Sequence, residues 1–176
     1  MTDDLILILP SRQYEKEVRT YRNDFLVAGD SIGGSNGLEE DVPFEQWLKQ
    51  TLDDMDQSTV QGHHVPATTY LAIRKSDNKL IGMIQIRHRL NESLMLFGGH
   101  IGYSVRPSER RKGYAKAMLH LALLKCRELD IDKALLTCDK DNIASSKTIL
   151  ANGGVLENEV TGEGRITQRY WIQTEA

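Results

Sequence analysis

Hydrophobic positions along the chain change their period near residue 60, and that change divides it into two regions. Leu5 to Leu9 is a short apolar run closed by Pro10, which predicts a buried strand. Tyr14, Val18, Tyr21 and Phe25 then recur at four- and three-residue steps, the stripe of a helix that Ser11 caps and Gly29 ends. Pro43 opens a second helix whose apolar face is Phe44, Trp47, Leu48, Leu52 and Met55. The Gly- and Ser-rich stretch between them, Ser31 to Gly37, is expected to be a mobile loop.

From Val65 onward the pattern becomes that of strands. Val65 to Arg74 and Leu80 to Leu90 are β-rich and joined by the hairpin-like Lys75 to Lys79. His100 to Arg106 is a third strand, entered through Gly98-Gly99. A helix is expected from about Arg111 to Leu129, with Ala115, Met118, Leu119, Ala122, Leu123 and Cys126 on one face. Ala134 to Cys138 reads as a strand buried on both faces, and Asn142 to Asn152 as a helix stopped by Gly153-Gly154. Two strands, Val155 to Val160 and Arg165 to Ile172, finish the chain. The order predicts an α/β fold in one domain over residues 1–176. Its sheet is mixed and mostly antiparallel, with a parallel crossover at the centre and helices on both faces.

Composition narrows the class without naming a function. The chain has 176 residues, 40% hydrophobic and 27% charged, which excludes a disordered or low-complexity protein. No apolar run reaches the roughly 18 residues of a membrane span, and the start Met1-Thr-Asp-Asp4 is acidic where a signal peptide would be basic. Two cysteines, Cys126 and Cys138, make no disulfide framework, so a cytoplasmic location is expected. No metal site is expected either. His63 and His64 are neighbours on an extended segment, point to opposite sides, and have no third ligand near them in sequence.

The formal charge of −3 conceals an uneven distribution. Residues 1–60 carry a net −8 and residues 61–176 a net +5. Five bases and a single acid, Glu109, fall between Arg106 and Lys116. Here a strand ends, Pro107 turns the chain, and a helix begins. The first amides of a helix lack intrahelical partners and carry partial positive charge, and Gly113 would let an anion come close to them. With Arg110, Arg111 and Lys112 added, the segment suits a phosphate or pyrophosphate. A solvated basic face and an RNA-backbone contact remain open readings at this point, although a nucleic-acid binder would usually be basic overall. Neither G-x-x-x-x-G-K-[ST] nor G-x-G-x-x-G occurs.

Arg110-Arg-Lys-Gly113-Tyr-Ala115 fits [Q/R]-x-x-G-x-[G/A], and through this motif and its place before the crossover helix the chain resembles the GNAT superfamily of N-acetyltransferases. The resemblance implies acetyl-CoA as cosubstrate and direct transfer of its acetyl group to a primary amine in a ternary complex. It implies a cradle for the CoA pyrophosphate at Arg110, Arg111, Lys112, Gly113, Tyr114, Ala115 and Lys116. Val105 and Arg106 resemble the strand residues whose backbone pairs with the pantetheine arm. Asn142 matches an Asn that contacts that arm, and Lys147 is placed to reach a phosphate. Two central strands are expected to splay around the thioester, whose oxygen would face a strand amide.

The resemblance also exposes a departure. Relatives often place a Tyr seven residues after the Asn, where this chain has Ile149. His100 is then the candidate base, with Tyr103 the candidate acid and Tyr170 a second one. Cys138 is expected to be an inert buried thiol. The acidic first two helices would wall the acceptor site and favour a cationic small-molecule or peptidyl amine. A homodimer is the expected assembly, with neither nucleic acid nor membrane as partner. The competing reading from another class is an acyl-CoA-binding sensor or regulatory module with weak catalysis.

Overall fold

The computed structural model describes residues 4–174, so the acidic start at residues 1–3 lies outside the described chain. Seven strands and four α-helices follow the expected order: β1 Leu5–Ile8, α1 Glu15–Ala28, α2 Phe44–Asp53, β2 Ala67–Arg74 and β3 Lys79–Arg87. Then come β4 Ile101–Val105, α3 Tyr114–Glu128, β5 Lys133–Asp139, α4 Ile143–Ala151, β6 Val155–Gly162 and β7 Arg165–Gln173. Strands β1-β2-β3-β4 form one antiparallel sheet, and β5-β7-β6 a second. The crossover through α3 is present, yet the sheet is not continuous across it. His100 N donates to Leu135 O at 2.7 Å, and beyond that point β4 and β5 share no ladder. The expected splay of the central strands thus appears as a seam between two sheets.

Each face of the first sheet carries its own core. Helix α3 lays Met118, Leu119, Ala122 and Cys126 against Ile81, Ile84 and Ile86 of β3 and Leu136 of β5. The opposite face buries Val18, Tyr21 and Phe25 of α1 and Phe44, Trp47 and Leu48 of α2 against Leu71, Leu80 and Met83. Each such large apolar side chain contributes roughly 1.5–3 kcal/mol on burial. On α2 the buried face is completed by Thr51, while Leu52 is exposed and Met55 lies past the helix end. Ser11 makes no side-chain cap; a 3₁₀ turn at Arg12–Tyr14 leads into α1 instead. A short π-type turn at Leu94–Gly98, not anticipated from the pattern, precedes β4.

The segment from Ser31 to Gly37 packs as a fixed wall, contrary to the mobile loop its composition suggests. Ile32 and Ser35 are buried, and Trp47 Nε1 donates to Ser35 O at 2.9 Å. A side chain at Gly33 would meet Tyr103 O at 2.7 Å, and one at Gly34 would strike the Gly102 carbonyl. Gly34 also has φ +68°, so only glycine meets both demands. Glycine serves close approach to β4 here, and flexibility is not its role.

Candidate active site

Alternation along β4 decides which of its backbone groups are free. Arg106 N donates to Ile81 O at 2.8 Å, and Arg87 N to His100 O at 2.7 Å. In an antiparallel pair the bonded residues alternate, so residues 100, 102, 104 and 106 bond β3. The backbone groups of Ile101, Tyr103 and Val105 therefore face the seam, on the edge that β5 leaves unpaired, with Val105 O accepting from Arg110 Nε at 3.3 Å. Val105 lies on this edge, and its amide is open to the seam. Arg106 does not take the place the resemblance gives it: its amide is taken by Ile81, and its guanidinium is buried between Glu17 and Asp24, each at 3.3 Å, and over the Tyr21 ring. Arg106 joins α1 to the sheet instead of presenting itself to a ligand.

The turn after β4 exposes an unbroken run of donors. Among the described residues, the amides from Arg111 to Lys116 have no hydrogen-bond partner. Arg111 has φ +62° and Gly113 φ +86°, which curls these amides around the start of α3. A Cβ on Gly113 would meet no atom within 4 Å, so the space before these amides is open. This is a nest for an anion, and it fits a phosphate group. A cavity of about 910 Å³ lies along α3 from Gly113 through Lys116 and His120 to Arg127, closed by Leu5 and Thr174 and lined by no residue of β4. At that side Asn152 Nδ2 donates to Lys116 O at 3.3 Å, joining the end of α4 to the start of α3.

Fewer of the basic side chains are free than the sequence suggests. Glu109 is buried and gathers Lys79 at 2.8 Å, Lys112 at 3.0 Å and Arg74 at 3.1 Å. Burial alone would raise its pKa, but Lys79, Lys112 and Arg74 together pull it down to about 2. A lone acid among five bases was the available signal for this clamp. Arg110 pairs with Asp30 at 2.7 Å and lies over the Phe25 ring. Tyr114 turns its hydroxyl to Arg74, 2.9 Å away, so only its amide belongs to the nest. Arg111, Lys116 and Lys147 are exposed and, among the described residues, form no ion pair. Ala115 contributes backbone alone. Asn142 caps α4, its Oδ1 accepting from Ser145 N at 3.1 Å.

Ion pairs also take up part of the acidic front. Glu17 and Asp24 neutralise Arg106, Asp30 neutralises Arg110, and Glu45 pairs with Arg12. Glu39 accepts from the Ile32 amide at 2.9 Å. Only Arg106 and Arg110 bring in charge from beyond residue 60, and among the described residues Glu39, Glu40, Asp41, Asp54 and Asp56 form no ion pair, so the front keeps a negative balance.

Tyr103 projects from β4 toward α4, where its hydroxyl meets Ser145 Oγ at 2.9 Å. Burial raises its pKa, so it keeps its proton at any physiological pH. Tyr170 is buried nearby and donates to Gln168 Oε1 at 2.8 Å. Cys138 faces the same Gln168, and burial raises its pKa, so it stays a thiol. Ile149 is fully buried in the α3-side core and brings no polar group to the seam. Ser145 and Gln168 had no motif to reveal them; only packing of α4 over β5 and β7 brings them in.

His100 is built against the role of base. It is buried, and its Nδ1 accepts the Leu135 amide at 2.9 Å. With that lone pair engaged, the neutral ring carries its proton on Nε2 and has none left to accept another. Burial, helped by the nearby Arg87 charge, pushes its pKa down to about 4. The ring straps β4 to β5 at the point where they part. Among the described residues no three His, Cys, Asp or Glu side chains are close enough together to hold a metal ion.

The acetyltransferase (GNAT) family model matches residues 36–149, well over half of the chain. No curated protein sequence matches it. Among solved structures, the microcin C7 self-immunity acetyltransferase MccE, in complex with acetyl-CoA and AMP, is similar in fold. It has 15% identity and a TM-score of 0.70, over 97% of this chain and 93% of that one. The ribosomal L7/L12 alpha-N-protein acetyltransferase RimL, in complex with coenzyme A, gives 16% identity and 0.68 over 97% and 94%. A spermidine N-acetyltransferase SpeG chimera from Vibrio cholerae and hSSAT gives 16% and 0.63 over 97% and 96%.

Proposed function

The chain belongs to the GNAT family of acetyltransferases, and from that premise we propose that it transfers an acetyl group from acetyl-CoA to a primary amine by direct attack in a ternary complex. The observation that carries this reading is the nest of six unpartnered amides around Gly113, at the end of the β4 edge that faces the seam. Those amides would hold the pyrophosphate, with Arg110, Arg111, Lys112 and Lys116 supplying nearby positive charge. Arg110 and Lys112 do so while already tethered to Asp30 and Glu109. Bound acetyl-CoA supplies an activated thioester.

The rest is the work of the chain. The free edge of β4 at Val105 pairs with the extended arm as a neighbouring strand would. An amide of Ile101 or Tyr103, facing the seam, donates to the oxygen on which charge develops. Tyr103, held by Ser145 and protonated at neutral pH, gives its proton to the departing thiolate, and the proton that the amine nitrogen loses on acylation returns through solvent to the Tyr103 phenolate. It takes the part that relatives assign to the position of Ile149. Binding the amine and the thioester together supplies much of the rate through proximity. Cys126 and Cys138, both buried and free, agree with a cytoplasmic location.

An assay of CoA thiol release over a panel of amines tests this reading. Release that depends on the added amine supports it. CoA binding without turnover on any amine would point instead to the regulatory module.

A further inference from the structure

Resting on the acetyltransferase reading, we infer that Arg87 anchors a carboxylate carried by the acceptor amine, so that the acceptors are amino carboxylates. Arg87 is the last residue of β3 and shares the α1–α2 face of the sheet with Met83 and Gln85. Its Nη1 donates to the carbonyls of Gly98 and Gly99, each at 3.0 Å. Nη2 lies 3.5 Å from where a Cβ on Gly102 would stand, and Gly34 lies 3.6 Å from the same point. The guanidinium is therefore held over the bare backbone of β4, beneath the Ser31–Gly37 wall. This is beside the place where β4 and β5 separate, on the face opposite Tyr103 and α4.

What distinguishes Arg87 is the absence of a counter-charge. Arg87 is half-buried, and the two arginines buried more deeply are matched: Arg106 by Glu17 and Asp24, and Arg169 by Glu157 at 2.5 Å. Arg87 forms no ion pair among the described residues, and its only side-chain bonds go to two neutral carbonyls. On this face Gln85 bonds Asn36 and Thr69, and Asn36 donates in turn to Thr51 and to the Asp54 carboxylate at 2.9 Å; none of them bonds Arg87. Burial lowers its pKa, as expected for a desolvated cation without a partner. Leaving such a charge unmatched costs stability, and a bidentate carboxylate is the partner whose geometry fits the guanidinium fork. The two glycines keep the approach to Nη2 free of side chains.

The test compares α-, β-, γ- and ε-amino acids with their carboxamides, which keep the amine and remove only the charge. With the wild-type protein and acetyl-CoA, kcat/KM for at least one acid should exceed that of its amide at least about tenfold, the scale of one charged hydrogen bond. Arg87→Gln should erase that preference mainly by raising KM for the acid, with kcat on the amide little changed. Arg87→Lys, which keeps charge without the fork, should restore part of it. Equal turnover of acids and amides by the wild type would overturn the assignment. So would a loss in Arg87→Gln that is the same for both. A chain that turns over no amine would refute the acetyltransferase reading and leave this one to binding. The acids should then raise the melting temperature of the CoA-loaded wild type and their amides should not; no shift from any acid would overturn it.

Discussion

The hydroxyl of Tyr103 lies 2.9 Å from Oγ of Ser145, and this contact joins β4 to α4 across the seam between the two sheets. It places a half-buried, protonated phenol beside the free edge of β4, where the family position at Ile149 offers only hydrocarbon. Tyr103→Phe removes the proton and keeps the ring. It should lower kcat by about 100-fold, the lower end for a lost general acid, with KM for acetyl-CoA changed by less than about threefold. Ser145→Ala leaves the phenol in place and should cost much less. Steady-state kinetics on the two variants check this; an unchanged kcat in Tyr103→Phe would remove Tyr103 from the chemistry.

Gly113 gives a separable test of the nest. Its Cβ direction is empty, so a side chain there meets no protein atom. The φ of +86° adds strain of roughly 1–2 kcal/mol for any other residue. Gly113→Glu should therefore fold, with a modest drop in melting temperature, while its side chain and charge fill the anion site. Calorimetric titration should show CoA affinity lower by at least about 100-fold. Undiminished affinity in a folded variant would place the pyrophosphate elsewhere.

Acid stability follows from two depressed pKa values. Both His100, taken from 6.5 to about 4, and Glu109, taken from 4.5 to about 2, hold their protons less tightly when folded. Their stabilisation is complete above the ordinary value and is lost as pH falls through the folded one. Wild-type melting temperature should thus decline from about pH 6.5 to 4 through His100, and further from about 4.5 to 2 through Glu109. Each accounts for at most about 3 kcal/mol. His100→Gln should flatten the first decline. It should leave the kcat profile between pH 6 and 9 unshifted, because the ring stays neutral throughout that range; a shifted profile would reinstate His100 as a base.

The contrast between Gly113 and Arg106 shows what was legible in the sequence. The nest is built from consecutive residues, and the turn, the glycine and the helix start are all local, so the pattern from Arg110 to Ala115 carried it. The order of elements was legible for the same reason: each period is written within one segment. Arg106, five positions after Ile101 in the same strand, reads as one more base. Its burial depends on Glu17 and Asp24, over 80 positions away. Separation in sequence also hid the use of the Leu135 amide by His100, 35 positions away, and the lack of a partner for Arg87. Composition misled at Ser31–Gly37, because glycine marks both loose loops and tight contacts. The carbonyls of Gly102 and Tyr103 show that it is the second case here.

The account stands most directly on thiol release from acetyl-CoA, measured with the wild-type protein across amines with and without a carboxylate. It predicts release that rises with amine concentration, saturates, and yields the N-acetylated amine in equal amount. Binding of CoA with release no faster than hydrolysis, whatever amine is offered, would contradict it.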